Sequence, residues 1–386
     1  MQLSVIILNY NVRYFLELCV ISVLKAIKNL DAEIIVIDNN SSDGSCEMMR
    51  KRFPGIKLIE NKENYGFPKG NNIGVTAAKG KYICILNPDT VVAEDTFEKI
   101  LKSKIWSKKT GIVGCKLIDG TGKFLPESKR GVPNPFVAFT KIFGLYKISN
   151  FFGKYYAQHL SENQSGKVDI LVGAFMVLER NLYQEIGGFD EKCFMYSDDI
   201  DLSYMVTQKG YFNYYLHETS VIHYKGESTI KDGTYMKRFQ EAMNFFYKKH
   251  FKVSVFFSVF MKIGIVLFSL IKKLQGKPKL KIEPNNYILI SNPDASGQNL
   301  KQKLENQFQK PVTILSEKSA VTKSFSFKTN CEIIFDNNYL DFKTIIQLLE
   351  TNKNKKSTFK ILPKQSDFLI GSNSSNDRGE ILILDI

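Results

Sequence analysis

The chain has 386 residues, of which 44% are hydrophobic and 12% aromatic, so it can bury the cores of two domains and is not a disordered chain. Its formal net charge is +14, but it carries neither an RNP sequence nor a zinc-finger spacing, and we expect no nucleic-acid partner. The six cysteines show no metal-binding or redox spacing, which indicates reduced thiols. The first residues enter a strand pattern without a secretory signal, which favours a cytoplasmic location.

Short apolar runs alternate with helical patterns in the first part of the chain. The runs at 3–8, 33–37 and 82–86 predict buried strands, and a helical face follows the first of them. That face consists of Phe15, Leu16, Cys19, Val20, Val23, Leu24 and Ile27. Strands that alternate with amphipathic helices predict an α/β fold with a parallel sheet, helices on both faces and a ligand across the strand ends.

Polar side chains follow each of these strands. The segments concerned are 9–11, 38–44 and Asn87-Pro88-Asp89. Because Pro88 stops the ladder, Asn87 and Asp89 project from the carboxyl end of their strand, where open α/β sheets bind ligands. Two oxygen-bearing side chains on a rigid turn suit a hard divalent cation that also carries phosphate oxygens. The alternative is an Asx-type turn that only closes the strand.

An acidic cluster at Asp198-Asp199-Ile200-Asp201 places three carboxylates within four residues, directly after aromatic and apolar ones. Crowded carboxylates favour one another's protonated form, which is useful where a site needs a base or a cation. The alternative is an acidic helix N-terminus, with Asp198 as the N-cap and the other two carboxylates in the first turn.

Six motifs in order resemble the family 2 glycosyltransferases, and within them the rhamnosyltransferase-like branch, over roughly residues 1–230. The motifs lie at 5–11, 36–44, 63–67, 86–89, 187–191 and 198–202. The resemblance implies a GT-A fold, in which a Rossmann-like mixed sheet binds a nucleotide-diphospho-sugar. It also implies inverting transfer of a sugar, with rhamnose as a candidate, to a hydroxyl of a glycan or lipid-linked acceptor in cell-surface polysaccharide synthesis.

The resemblance further implies roles for single residues at the donor end. Asp38 would hydrogen bond to the nucleotide base, and Asn9 and Tyr10 would line the base pocket. Asn64 and Asn87 complete this donor-binding set.

Asp89 falls on the metal-binding position of the family's Asp-x-Asp motif, in which Asn87 replaces the first Asp. His223 falls on a downstream histidine that reaches the metal or the diphosphate, although a lone histidine after an apolar pair is more often structural. The expected cofactor is Mg²⁺ or Mn²⁺, which would neutralise the charge that builds up on the departing diphosphate.

Asp199 falls on the family's catalytic base, which takes the proton from the acceptor hydroxyl. Asp198 and Asp201 would support Asp199 by keeping it able to accept that proton. Two departures from the family pattern stand out: the first motif position is Asp198 in place of Glu, and Met205 stands where an Arg often follows the last Asp. The candidates for a replacement cation are Arg180 and Lys209.

The segment 231–282 is basic, and its run at 253–271 is apolar and close to the length that spans a bilayer. Lys262 near the middle of the run argues against a simple span, because a central Lys costs about 2.5–3.5 kcal/mol. The flanking lysines suit anionic lipid head groups. We expect a peripheral or monotopic helix at an anionic membrane surface, and a buried helix between two domains is the alternative.

Residues 283–386 predict a second, smaller α/β unit of unknown role. Its strand patterns lie at 287–290, 312–315, 332–335 and 358–362, and its helical patterns lie near 297–308 and 342–351. The Gly-, Ser- and Asn-rich segment 371–380 favours a polar hairpin turn over an anion-binding loop.

Two other functions fit part of this pattern. A nucleotidyltransferase would share the sheet and the cation, but it would need a Gly-rich loop bearing Lys or Arg after the first strand, and residues 9–13 are not Gly-rich. A nucleotide-sugar-binding protein or scaffold without glycosyl transfer would not need Asp89, Asp199 and His223 together.

Overall fold

The computed structural model describes residues 1–133, 156–225, 233–251, 284–322, 330–353, 357–373 and 379–384. Within these ranges the chain forms a nine-stranded sheet followed by a six-stranded sheet. The predicted apolar run at 253–271 lies outside them. Of the helices that they contain, none combines the length and the apolar character needed to cross a membrane.

The first sheet and its helices make up the amino-terminal unit. Its strands are β1 (Leu3–Asn9), β2 (Ala32–Asp38), β3 (Lys57–Glu60), β4 (Tyr82–Leu86), β5 (Thr90–Val92), β6 (Thr110–Ile118), β7 (Gly166–Val168), β8 (Phe175–Glu179) and β9 (Phe212–His223). Its helices are α1 (Arg13–Ala26), α2 (Ser45–Arg52), α3 (Gly66–Thr76), α4 (Thr96–Lys102), α5 (Arg180–Glu185), α6 (Asp198–Gln208) and α7 (Gly233–His250), with a 3-10 turn at Pro126–Ser128.

The strand order is β3-β2-β1-β4-β8-β6-β9-β5, with β7 beside β9. β1 pairs parallel with β2 and with β4, whereas β8 lies antiparallel between β4 and β6. The sheet is therefore mixed, as the resemblance implies, and parallel from β3 to β4, as the strand pattern predicts. Strand order changes direction between β1 and β4, and ligands of open α/β sheets bind in the crevice at such a point.

The second sheet has the order β11-β10-β12-β13-β14-β15. Its strands are β10 (Asn286–Ile290), β11 (Val312–Leu315), β12 (Cys331–Asp336), β13 (Thr358–Leu362), β14 (Phe368–Gly371) and β15 (Glu380–Ile383), and its helices are α8 (Ala295–Phe308), α9 (Glu317–Thr322) and α10 (Phe342–Asn352). The predicted second α/β unit is confirmed. β14 and β15 pair antiparallel, as expected for a hairpin across 371–380.

Helix α1 is buried on two sides, which explains how the two units are joined. One side packs on the first sheet through Leu16, Val20 and Val23. The other side, with Phe15 and Leu18, shares an apolar cluster with side chains of the second unit. Those side chains include Ile288, Ile290, Phe335, Phe342, Ile345, Phe359 and Phe368.

Polar contacts reinforce this interface between the units. The backbone N–H groups of Phe342 and Lys343, at the start of α10, both donate to the Glu94 carboxylate at 2.9 Å. Arg52 donates to the carbonyl oxygen of Gln365 at 2.9 Å and pairs with the buried Glu17. The second unit therefore packs directly against the amino-terminal unit, behind the strand that follows Asp89.

Candidate functional site

A cavity of about 320 Å³ lies at the carboxyl ends of β1 and β4. Seven residues predicted from the sequence line it, namely Tyr10, Asn64, Asn87, Asp89, Asp198, Asp199 and His223. The other three predicted residues, Asn9, Asp38 and Asp201, fall outside its lining. The pocket thus brings together side chains from five separate places in the sequence.

Asn9 and Asp38 form a buried pair next to the cavity. Asn9 Nδ2 donates to Asp38 Oδ1 at 2.7 Å, and the backbone N–H of Ser41 donates to Asp38 Oδ2 at 2.7 Å. The first bond joins the end of β1 to the end of β2, and the second orders the turn that follows β2. The predicted contact between Asp38 and a nucleotide base would have to displace or share one of them.

Asn64 organises the start of α3 at the cavity wall. Its Oδ1 accepts from the backbone N–H of Gly66 at 2.9 Å. Gly66 has a φ of 77°, and a Cβ there would lie 2.8 Å from the ring of Phe194, so only glycine fits. Nearby, Tyr196 lines the cavity with a φ of 80°, a backbone conformation that non-glycine residues rarely adopt.

Asp89 and His223 meet because β5 pairs antiparallel with the end of β9, where Thr90 lies opposite His223. Asp89 Oδ1 lies 3.4 Å from His223 Nε2, and both side chains are buried. Within the described residues, neither Asp89 Oδ1 nor His223 Nδ1 has a hydrogen-bond partner. Buried polar atoms are nearly always satisfied, so this pair fits a ligand that supplies the missing contacts.

A carboxylate oxygen and an imidazole nitrogen are suitable ligands for a divalent cation such as Mn²⁺ or Mg²⁺. In the part of the chain that the structure describes, no three His, Cys, Asp or Glu side chains converge closely enough to hold a metal by themselves. A cation between Asp89 and His223 would therefore take its remaining ligands from a bound substrate and from water.

The acidic cluster begins α6, with Ser197 as the N-cap and Asp198 as the first helical residue. The helix start is as expected except that its N-cap is Ser197 and not Asp198. Asp198 and Asp199 lie in the first turn and also line the cavity. Asp199 Oδ2 accepts from Arg130 Nη2 at 2.5 Å and from the backbone N–H of Gly173 at 3.1 Å. Arg130 and Asp199 form a nearly buried ion pair, with side chains 11% and 12% exposed.

Burial, and then the negative charge of Asp199, raise the pKa of Asp198 to about 7, although Arg130 acts in the opposite direction. Two adjacent carboxylates in a dry site do not ionise as readily as one, so the pair binds a proton near neutral pH. The cavity thus holds one carboxylate that is paired with an arginine and a second that titrates close to neutrality.

Arg130 and Lys225 line the cavity but carried no signal in the sequence. Arg130 follows Lys129 in a stretch without helical or strand periodicity, and only the bridge between its backbone and that of Ile170 places it opposite α6. Lys225 pairs with Glu127. Burial favours the neutral form of Glu127, but Lys225 outweighs this effect and lowers the pKa of that carboxyl.

The two cations suggested from the sequence lie elsewhere. Arg180 donates to the backbone carbonyls of Gly80 at 3.1 Å and Ala78 at 3.3 Å, and Lys209 lies 3.9 Å from Glu185 on the surface. Neither lines the cavity, so the expectation that one of them replaces the family's arginine needs correcting.

Asp201 was expected to support the base, and the structure corrects this expectation. Residues two apart on an α-helix do not share a face, so Asp201 leaves α6 on the side away from Asp199. Its carboxylate binds Lys249 and His250 of α7 instead.

Comparisons with known proteins indicate the class of this protein. Residues 4–187 match the family model described as Glycosyl transferase family 2. The N-acetylglucosaminyl-diphospho-decaprenol L-rhamnosyltransferase of Mycobacterium tuberculosis is 24% identical over 210 residues, which cover 52% of this chain and 68% of the relative. Rhamnosyltransferase WbbL of Escherichia coli K12 is 29% identical over 217 residues, or 52% and 77% of the two chains.

Among solved structures, the mannosyltransferase PcManGT from Pyrobaculum calidifontis, in complex with GDP-Man and Mn2+, is similar with a TM-score of 0.48. It is 17% identical, and the match covers 72% of this chain and 76% of that one. The family match and the curated relatives define a glycosyltransferase. In its amino-terminal unit the chain is similar to the family 2 glycosyltransferases, and within them to the rhamnosyltransferase-like branch.

Proposed function

We propose that this protein is an inverting, metal-dependent glycosyltransferase that moves a sugar from a nucleotide-diphospho-sugar to a hydroxyl of a glycan or lipid-linked acceptor. The single observation that carries the proposal is that one cavity holds both the Asp89–His223 pair and the Asp198–Asp199 pair. Rhamnose is the first candidate sugar, since two curated relatives are named rhamnosyltransferases and one name includes a diphospho-decaprenol.

The charges of the cavity favour a cation at the donor end. Its lining carries the carboxyl groups of Asp89, Asp198 and Asp199 together with the side chains of Arg130 and Lys225. A diphosphate would add further negative charge to a site whose two long cationic side chains are already paired, Arg130 with Asp199 and Lys225 with Glu127. Mg²⁺ or Mn²⁺ would offset that charge and stabilise the departing diphosphate.

At the donor end, Asp89 and His223 would hold the cation. Tyr10, Asn64 and Asn87, which line the same cavity, would contact the nucleotide sugar. The buried Asn9–Asp38 pair would keep the ends of β1 and β2 in place beneath it.

Asp199 would act as the base at the acceptor end. Arg130 and Gly173 both bind its Oδ2, which fixes the orientation of the carboxylate, and we assign Oδ1 to the acceptor hydroxyl. As the hydroxyl oxygen attacks the anomeric carbon, its proton passes to Asp199 and the bond to the diphosphate oxygen breaks with its electron pair. One in-line displacement inverts the anomeric centre.

The test is to incubate the purified full-length protein with UDP-, dTDP- and GDP-sugars, a divalent ion and a lipid-diphosphate-sugar acceptor, and to score nucleoside diphosphate release. We expect one donor to be consumed in a metal-dependent reaction that Asp199→Asn abolishes and that Asp367→Asn, at an exposed position, leaves unchanged. Binding of a donor without release would favour a nucleotide-sugar-binding protein, and release of a sugar 1-phosphate, left when the nucleotidyl group is transferred, would favour a nucleotidyltransferase.

We also propose that the segment 231–282 holds the enzyme at the inner face of the cell membrane, near a lipid-linked acceptor. The support is its sequence, because the apolar run at 253–271 is flanked by lysines, each of which adds about 1 kcal/mol at an anionic surface. Flotation with anionic vesicles at low salt tests this arrangement. Protein that stays in the soluble fraction would contradict it.

A further inference from the structure

Asp201 is the third carboxylate of the acidic cluster, and its contacts differ from those of Asp198 and Asp199. Its side chain is 1% exposed. His250 Nε2 donates to Oδ1 at 2.5 Å, and Lys249 Nζ donates to Oδ2 at 2.8 Å. Both oxygens are thus bound by the last two residues of α7, a helix that follows the predicted catalytic segment in the chain.

Helix α7 also packs tightly on α6. Phe246 is fully buried, and the ring of Tyr204 on α6 packs edge-on against both Phe246 and His250, at centroid distances of 5.7 and 4.7 Å. Lys249 reaches beyond α6 as well, since its Nζ donates to Asp190 at 2.8 Å. The end of α7 therefore fixes α6 by apolar packing and by charge.

The same helix touches the segment that carries Arg130. Tyr247 Oη donates to the carbonyl oxygen of Pro133 at 2.6 Å, three residues beyond Arg130. Arg130 and Asp199 form the ion pair at the cavity, so α7 contacts the supports of both partners. A small rotation of α6 would redirect Asp199 and lengthen its contact with Arg130.

Lys249 and Asp201 form an ion pair. Burial opposes the charged form of Lys249, but its hydrogen bonds to Asp190 and Asp201 outweigh this effect and raise the pKa of Lys249. Burial of a carboxylate without its cationic partner is strongly unfavourable. If Lys249 were removed, Asp201 would therefore move toward solvent or toward another hydrogen-bond donor. Either change would turn α6 about its axis.

We propose that Lys249 and His250 are positioning residues that act through Asp201 to set the rotation of α6 and so aim Asp199 into the cavity. The inference rests on the proposed function only in taking Asp199 as the base. It assigns to α7, within the 231–282 segment, an indirect role in the chemistry of the amino-terminal unit, in addition to the segment's proposed place at the membrane.

Met205 provides a rescue that distinguishes positioning from general stability. It lies four residues after Asp201 on α6, and its Sδ lies 3.6 Å from Lys249 Nζ. Side chains four apart on a helix are neighbours, so an arginine at 205 could reach Asp201 along α6 itself. Lys248, which is exposed and adjacent in sequence, is the matched control.

The experiment compares Lys249→Met, Lys248→Met and the double variant Lys249→Met with Met205→Arg in the full chain. Misplacing a catalytic group by about 1 Å can cost about 100-fold in rate, so we expect kcat of Lys249→Met to fall ~10- to 100-fold while KM for the donor stays within about twofold. The double variant should regain most of kcat, and Lys248→Met should match the unmodified protein. An unchanged kcat in Lys249→Met, or no recovery in the double variant, would overturn the proposal.

Hydrogen exchange of the α6 amides supplies a readout that does not depend on activity. Exchange should be faster in Lys249→Met and return toward the original rate in the double variant. If the unmodified protein transfers no sugar, the proposed function fails while this result still stands. If α6 exchange is the same in all variants, the positioning role fails whatever the activity.

Discussion

Replacing Asp198 by Asn should stabilise the protein, and more so as the pH rises. In the folded chain, burial and the charge of Asp199 raise the pKa of Asp198 from 3.8 to about 7. Each pKa unit corresponds to about 1.4 kcal/mol, so holding Asp198 ionised in the folded state costs about 4 kcal/mol relative to the unfolded chain. The folded state is less stable by this amount because two adjacent carboxylates lie in one cavity.

The sign follows from linkage. A carboxyl whose pKa is higher in the folded state contributes its full stability below pH 4, and that stability is lost as the pH rises toward 7. Asn cannot ionise, so Asp198→Asn avoids this loss. Its advantage over the unmodified protein in free energy of unfolding should be about 2–3 kcal/mol larger at pH 8 than at pH 5.

Urea unfolding of the full-length chain at pH 5 and pH 8 measures this difference. Asp367→Asn, at an exposed position, is the control and should show the same stability change at both pH values. A gain for Asp198→Asn that does not depend on pH would refute the reasoning, because the benefit would then come from packing and not from the removed charge.

Three further perturbations separate the parts of the site. Arg130→Met removes a charge that lowers the pKa of Asp198, so the acid limb of kcat against pH should move to higher pH. Arg130→Lys should keep the limb in place. A limb that does not move in Arg130→Met would show that Arg130 does not control the ionisation of the acidic pair. Asp89→Ala should weaken donor binding and remove its dependence on Mg²⁺ or Mn²⁺, and calorimetry showing unchanged metal-dependent affinity would contradict the cation site. Glu94→Gln weakens the carboxylate contact at the start of α10 and should lower the free energy of unfolding by about 1 kcal/mol, which thermal melts detect as a lower melting temperature. An unaltered melting temperature would show that the apolar contacts alone join the two units.

The donor half of the site could be predicted because it is built from local patterns. Each strand of the parallel half is a short apolar run that ends in polar residues, and parallel strands bring those ends to one edge. This pattern placed Tyr10, Asn87 and Asp89 at one cavity. His223 could be placed only through the family resemblance, because its contact with Asp89 depends on the antiparallel pairing of β5 with β9.

The acceptor half was harder to predict because its contacts are made between distant segments. Arg130 lies in a stretch without periodicity, and nothing local indicates that it pairs with Asp199. The direction of Asp201 could have been inferred, since helix geometry alone separates it from Asp199. The identity of its partners, Lys249 and His250, required the packing of α7 on α6.

The sequence of α1 contained evidence that a second unit packs on this helix, but a prediction of one apolar face does not describe it. Phe15, Leu18 and Ile21 form a second apolar side of that helix, and a helix that is apolar on two sides is buried on both. The sequence thus contained evidence that something covers α1. What covers it could be learned only from the structure.

Donor binding and sugar transfer measured on the same preparation of Asp199→Asn test the central claim most directly. The amide keeps the shape of the carboxylate but cannot accept a proton, so we expect donor affinity within about twofold of the unmodified protein and a transfer rate lower by about 100-fold or more at neutral pH. Transfer at the full rate with normal donor affinity would contradict the assignment of Asp199 as the base, and with it the proposed in-line displacement at this cavity.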